Sequence, residues 1–552
     1  MQSKHAETVA GLVAAVLGGS MLVLGVVTFD APAAHAPTQP VPVPRFVEEA
    51  EAAGIHHVYD GDFKYVVGGG VAAFDCDGSG LPSLYLAGGA NRAALYHNES
   101  TAAQLRFRQI PSPVTDMTAV VGAYPIDIDG DGIVDLVVLR TAGNVLLRGL
   151  GNCRFEVANA RWGFQGGSAW TTAFSAKWEG ADRLPTLAFG NYIDLAKSKD
   201  SATCADNELV RPEPGAATYT APITLSPGWC TLSLLFSDWD RSGRRDLRVS
   251  NDRHYYGDGG EEQLWRVADG QAPHLYTQAE GWQPLQIWGM GIASFNVTGD
   301  RRPEYFLTSE GDNKLQTLAD RSGRPTYRDI ALKRGVTAHE PYAGGDALAS
   351  TAWHAQFEDV NNSGFVSLFI TKGNVESEQD TATKDPSDLL IGQPDGTFKE
   401  GGVAAGIVQF VKGRGAAVVD LNGEGMLDIV QVNRGLNVTL WRNVGSGDSV
   451  HPSPLGGWIE VALEQPGPNR DAIGSWVDAR FGGRTVQREL TIGGGHASGQ
   501  LGWMHFGLGN AGSAQVRVQW PDGAIGPWMD VRPGQRATIV RGASKPQLWA
   551  PL

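Results

Sequence analysis

The chain has 552 residues, more than one average domain of about 100–200 residues holds, and its 72 glycines, roughly 13% against a usual 7%, make turns frequent. With 42% hydrophobic and 19% charged residues it reads as neither disordered nor coiled coil. Forty-five Lys and Arg against 60 Asp and Glu leave a net charge of −15, so no nucleic-acid partner is expected and cations are the favoured company.

At the N-terminus, residues 9–29 form an apolar run behind a short head containing Lys4. Residues 1–36 read as an export signal cut after Ala34-His35-Ala36, or as an uncleaved membrane anchor. The run exceeds the ~7–15 residues of a signal core and approaches the ~20 that span a bilayer. Either reading places the rest of the chain outside the cytoplasm: periplasmic, secreted or on the cell surface. Residues 37–45 are a Pro-rich linker. Cys76, Cys153, Cys204 and Cys230 include no CxxC, so disulfides are favoured over a zinc or redox site. Cys204 with Cys230 is the preferred pair because the two flank a Pro-rich stretch; all three pairings, and a pair of free thiols, stay open.

From residue 46 to 445 one unit recurs: an apolar strand, a carboxylate-rich loop with glycine, then a second apolar strand. The loops begin at 75, 127, 178, 238, 296, 359 and 420. Seven units of about 50–60 residues, each with short strands and turn signals, predict an all-β chain whose main body is a seven-bladed β-propeller. Few long helices are expected.

The loop DIDGDGIVDL places Asp127, Asp129, Asp131 and Asp135 at relative positions 1, 3, 5 and 9, with Gly132 at position 6. Alternate side chains converge on one point and the glycine turns the backbone so that position 9 returns to it. Hard oxygen ligands without nitrogen or sulfur suit Ca2+ and disfavour zinc or copper. Asp238, Asp240, Ser242 and Asp246 repeat the arrangement, as do Asp420, Asn422, Glu424 and Asp428. Asn296, Thr298, Asp300 and Glu304 keep oxygens with only two carboxylates. Asp75, Asp77 and Ser79, like Asp359, Asn361 and Ser363, are followed by serine at position 9, at Ser83 and Ser367, so weaker binding is expected there. The unit at Trp178 has almost no ligands. Fifteen acids stand at these positions, which leaves 45 acids against 45 Lys and Arg elsewhere. Several structural Ca2+ ions are therefore expected to relieve repulsion within the loops.

These units resemble FG-GAP/VCBS repeats, the blades of integrin-α-like propellers. That resemblance implies calcium in the DxDxDGxxD loop and transfers best to Asp127, Asp129, Asp131 and Asp135. The tail segments NRDAIGSWVDARFGG, RELTIGGGHASG, HFGLGNAG and VRVQWPDG are similar to the ASPIC/UnbV domain, assigned to residues 446–542 ahead of a tail at 543–552. The combination resembles bacterial relatives of cartilage acidic protein, which implies an extracellular or surface protein and no agreed reaction.

Read by itself, the tail alternates apolar and polar residues between Gly-Gly and Pro-Asp-Gly turns, as in a small β-sandwich or barrel, with Trp503, Phe506 and Trp520 in its core. His496 in GGGHASG is expected in an exposed loop. His56-His57 and His339-Glu340 are expected on the surface. No GxSxG, HExxH, Walker loop or CxxC is present, so no catalytic residue is assigned. Trp170, Trp288 and Trp353 recur before the loops and either pack between blades or line the channel for a carbohydrate. The reading is an exported, Ca2+-stabilised binding or adhesion module for an extracellular protein or glycan; the alternative is a propeller lyase or hydrolase with a site in the central channel.

Overall fold

Four-stranded antiparallel sheets are the repeating element of the computed structural model, which describes residues 41–197, 203–252 and 259–549. The apolar run, the start of the linker and the last three residues lie outside them. In one sheet Val120–Ile126, Asp135–Arg140, Val145–Gly149 and Phe155–Val157 pair in chain order. The same order recurs in the sheets opened by Val71–Phe74, Thr171–Lys177, Thr231–Ser237, Gly289–Phe295 and Ala352–Glu358. A further sheet, opened by Gly413–Val419, takes Arg45–Glu48 as its outermost strand, antiparallel to Thr439–Gly445. The chain thus closes on itself, with its first strand completing its last repeated sheet.

The opening strand of each sheet contacts the opening strand of the next, and Gly413–Val419 contacts Val71–Phe74, so the sheets form a closed, propeller-like ring around an axis. Packing on both faces explains why VVGAYPI at 120–126 and TLSLLFS at 231–237 are buried along their whole length, whereas the outer Phe155–Val157 buries only Phe155. Some hydroxyls in these strands link sheets, as Thr172 Oγ1 does by donating to the Thr231 carbonyl at 2.6 Å, whereas Ser233 Oγ is buried without a partner. Among the described residues the α-helices, Ala331–Arg334 and Gly402–Ala405, are short, and none is long and apolar enough to cross a membrane.

Two more sheets follow. Gly457–Glu464 pairs with Met504–Gly509 and with Gln535–Val540, and Trp476–Phe481 pairs with Arg484–Glu489 and Ala514–Gln519. They enclose Ile459, Val461, Val477, Val516, Val518 and Trp520. Residues 41–552 form one compact unit, so this tail is packed onto the ring.

The axis of the ring is filled by the glycine-rich stretch 492–499. The Ala123 and Ala176 amides donate to the carbonyls of Ala497 and Ile492, and the amides of Gly494 and Gly495 donate to Leu234 and Ile292. Val71 N–H donates to Ser498 Oγ at 3.1 Å, and Gly499–Leu501 runs parallel to Val71–Phe74. The approach is backbone to backbone: a Cβ on Gly70 would lie 1.8 Å, and one on Gly122 2.2 Å, from the Ala497 carbonyl oxygen.

His496 is therefore fully buried rather than exposed. Its Nε2 accepts from Gly68 N–H at 3.0 Å, its amide donates to His354 Nδ1 at 3.1 Å, and its ring lies 5.1 Å from that of Trp353. Trp170 and Trp353 are buried in one apolar cluster with Val66, Val121 and Tyr192, so they pack rather than line an open channel, and Trp288 is half-buried. His57 is also buried, bonded to the Ala87 carbonyl, while His56 is exposed, as neighbours on alternating faces require. His339 and Glu340 are both exposed. Trp503 is half-buried, with Nε1 donating to the Gly80 carbonyl at 3.1 Å; Phe506 and Trp520 are core. Both disulfides form: Cys204–Cys230, and Cys76–Cys153, which ties two neighbouring sheets.

Candidate functional site

Each carboxylate loop joins the first and second strands of its sheet, and all but the Asn296 loop, whose position 6 is Arg301, reuse one hydrogen-bond scheme. The side chain at position 1 accepts the amide of the glycine at position 6: Asp127 from Gly132 at 2.9 Å, Asp75 from Gly80 at 2.7 Å, Asp238 from Gly243 at 3.0 Å, Asp359 from Gly364 at 2.6 Å and Asp420 from Gly425 at 2.7 Å. Positions 4 and 6 are both left-handed, as at Gly130 (φ 73°) and Gly132 (φ 83°); the non-glycine residues held this way are Arg241, Arg301 and Asn362. Position 9 reaches across to the third strand. Asp135 accepts from Gly149 N–H and Asp428 from Asn443 N–H, both at 2.8 Å, and the serines do the same, Ser83 from Asn98 at 3.1 Å and Ser367 from Gly392 at 3.3 Å. The ninth position thus has a structural task even where it lacks a charge.

The Asp127 loop gathers most closely. Asp127, Asp129 and Asp135 each offer a carboxylate oxygen within 4.8 Å of the others, and Asp129 Oδ1 is buried without a hydrogen-bond partner. Burial pushes the Asp127 carboxyl up to about 6 and that of Asp135 up to about 8, with the neighbouring acids adding to both. Arg148 serves the outer pair, donating to Asp129 Oδ2 at 2.8 Å and to Asp131 Oδ2. Among the described residues the inner pair has no side-chain cation of its own. An orphaned buried oxygen among crowded oxygen donors fits a hard divalent cation.

The other loops carry partial compensation of their own, although Asn296 Oδ1 and Glu424 Oε1 are also buried without a partner and burial holds the Asp428 carboxyl well above the usual carboxylate range. Asp246 accepts from Trp239 Nε1 and Tyr276 OH at 2.9 Å and from Arg244 at 3.1 Å, while Asp240 accepts from the Ser242 amide. Glu304 is held by the hydroxyls of Thr298 and Thr317 at 2.8 Å, Asp300 is paired with Arg302, and Asn296 donates to Gln487 at 3.1 Å. Asp420 accepts from Arg536 Nη2 at 3.0 Å, Glu424 lies 3.7 Å from Arg442, and the Glu424 amide donates to Asn422 at 3.4 Å. Asp77 takes His97 Nε2 at 2.7 Å and the Ser79 amide at 3.0 Å. Asn361 donates to the Pro42 carbonyl at 2.8 Å and the Ser363 amide to Asp359 at 3.0 Å. In the eroded unit Glu179 is bound by Arg211 at 3.0 Å and lies 3.7 Å from Lys177, so side-chain cations stand near the loop that lacks ligands. These basic partners lie up to 116 positions away in sequence, as Arg536 does from Asp420, and the charge count of the loops alone misses them.

All six carboxylate loops face the C-terminal domain. Arg536 joins Asp420 to Glu460 and also donates to the Gly80 carbonyl at 3.0 Å. Arg245 donates to the Gly474 carbonyl at 2.6 Å, and Asn362 meets His505 Nε2 at 2.6 Å. Residues 468–470 of the tail cover the Asp127 loop: a Cβ on Gly130 would lie 2.8 Å from the Pro468 carbonyl, and one on Gly132 3.0 Å from Arg470 Nε. Asp471, the next residue, has its carboxyl pushed up to about 7 by burial and then by Asp127. Sequence reasoning does not single out Asp471, because its segment carries no repeat.

Between ring and tail lies a cavity of about 380 Å3, of the size that holds a small ligand. Tyr124, Phe295 and Phe357 supply apolar wall; Gln356, Glu358 and Arg488 supply polar groups. Glu358 and Arg488 pair at 2.6 Å, and Gln356 donates to Gln500 at 3.0 Å. Trp503 and Trp549, ring centroids 6.2 Å apart, stand at its edge.

Residues 465–546 match the family model described as ASPIC and UnbV. No curated protein matches the chain. Among solved structures it is similar to the BP39L lectin of Burkholderia pseudomallei (11% identity, TM-score 0.44, covering 71% of this chain and 99% of that one). It is also similar to BBS1N in complex with ARL6DN (10%, TM-score 0.41, covering 74% and 98%) and to an Agrocybe aegerita lectin that recognises non-reducing terminal N-acetylglucosamine (14%, TM-score 0.35, covering 62% and 82%). At those scores none carries its ligand or activity across.

Proposed function

We propose that the protein is an exported, Ca2+-stabilised binding module. In this reading the ring is a seven-bladed FG-GAP/VCBS propeller, its carboxylate loops clamp the C-terminal domain in place, and the cavity between ring and tail receives a glycan. The crowded, under-compensated carboxylates of Asp127, Asp129 and Asp135 carry the metal reading, with Asp131 beside them and Asp471 facing from the tail. A bound Ca2+ supplies two positive charges to that cluster. The loops begun by Asp238, Asn296 and Asp420 bind more weakly, because arginines already stand at Asp246, Asp300 and Asp420. Two disulfides and the N-terminal apolar run support export. The mixture of tryptophan edges and paired amide, carboxylate and guanidinium groups in the cavity favours a sugar over an extended protein surface.

Calorimetric melting in a few mM Ca2+ and in chelator tests the metal. At Kd values of about 10−4–10−3 M each site contributes about 1–2 kcal/mol, so chelation is expected to lower the melting temperature by a few degrees, less so in Asp129→Asn. An unmoved transition refutes it. A glycan array tests the ligand: bound sugars should be lost in Ser294→Phe, which fills the cavity, and retention of binding in that variant refutes the site.

A further inference from the structure

The left-handed loop positions are filled by glycine except at Asn362, Arg241 (φ 63°) and Arg301 (φ 77°). The two arginines belong to neighbouring loops, and both line one cleft of about 390 Å3 between those loops and Gln519 of the tail, together with Arg302 and Arg321. A long charged side chain in a conformation that glycine fills elsewhere marks a position where the side chain has a use. The pairing of these arginines is incomplete. Arg302 is bound to Asp300, and among the described residues Arg321 reaches only the Asp300 carbonyl, at 3.4 Å. Arg241 lies 3.9 Å over the Trp476 ring and donates to Gln519 at 2.7 Å, but its Nη1 is buried without a partner. Arg301 makes no hydrogen bond or ion pair among the described residues.

Among the lining residues four guanidinium groups stand against the carboxylates of Asp240 and Asp300, an excess of two positive charges at the cleft wall on a chain whose net charge is −15, with Asp238, Glu489 and Asp478 near Arg241 behind that wall. A cation held by either loop would add to that field. Guanidinium forks match the geometry of tetrahedral oxyanions, and Arg241, Arg301 and Arg321 approach the cleft from three different loops. We propose that this cleft binds a doubly charged oxyanion, sulfate or phosphate, free or as a substituent on a saccharide.

Binding of sulfate to the full chain, followed by isothermal titration, and melting in sodium sulfate against sodium chloride at matched ionic strength test this. Sulfate is expected to raise the melting temperature above chloride. Arg301→Gly installs the residue most sister loops carry, so it should melt no lower than the parent in chloride while binding sulfate at least about tenfold more weakly. Arg321→Gln should weaken binding in the same direction with the fold unchanged. A sulfated disaccharide that binds about tenfold tighter than sulfate assigns the site to a saccharide substituent, and equal affinity assigns it to the free ion. Parental affinity in Arg301→Gly, or no gain of sulfate over chloride for the parent protein, overturns the proposal.

Discussion

Replacing Arg536 by methionine removes the cation that joins the ring to its C-terminal domain. The guanidinium is 2% exposed and lies between Asp420, 1% exposed, and Glu460, 2% exposed, so both partners are out of reach of water. After the substitution Glu460 keeps His505 Nδ1 at 3.3 Å, Asp420 keeps its loop amides, and the Gly80 carbonyl keeps Trp503. Orphaning one side of a buried ion network costs about 3–5 kcal/mol. An unfolding entropy of about 2.1 cal/mol/K per residue, over about 500 residues, amounts to about 1 kcal/mol/K, so the melting temperature should fall by about 3–5 °C. Two companions sharpen the measurement by differential scanning calorimetry. Adding Glu460→Leu should restore part of the loss, because one stranded carboxylate is gone. Calcium should stabilise Arg536→Met more than the parent, because Asp420 has lost its internal cation. A melting temperature within about 1 °C of the parent would refute the view that this network fastens the two parts together.

Stability should also follow pH through the axis. Burial lowers His354 to about 4 and His496 to about 3, from 6.5. Both are neutral when folded and protonate in the unfolded chain first, so their contribution is complete above pH 6.5 and lost as pH falls toward 4–3, at about 1.4 kcal/mol per unit for each histidine. Melting curves from pH 7 to 4 should therefore flatten in His496→Gln; an unchanged slope would contradict the assignment. Gly122→Ala should destabilise by about 1–3 kcal/mol, since its Cβ has only 2.2 Å to the Ala497 carbonyl, and should open residues 492–499 to proteolysis. Undiminished protease resistance there would show that the axial segment packs less closely than described.

The all-β character and the loop-bearing units are legible in the sequence because they rest on local patterns: apolar runs, the spacing of acids and the glycine at position 6. The left-handed fourth position is hidden, since Arg241 and Asn362 occupy it where glycine stands in the Asp127 loop. What local pattern cannot show is which distant groups arrive beside a loop. Arg536 at Asp420 and Asp471 near Asp127 are brought there by the packing of the tail on the ring, and Arg45–Glu48 becomes the closing strand through the ring's closure. GGGHASG reads as a surface loop because its glycines suggest exposure. Their use is the opposite: they let a backbone pass where the surrounding strands leave room for no side chain, as Gly70 and Gly122 also do.

The stretch that occupies the axis is made of residues 492–499, close to the end of a 552-residue chain. During synthesis every repeated sheet emerges before its hub does. Until the last tenth or so of the polypeptide arrives, the amides at Val71, Ala123 and Ala176 lack the acceptors that residues 492–499 supply. Ring and tail therefore mature together, and a chain stopped at residue 445 is a wheel without an axle.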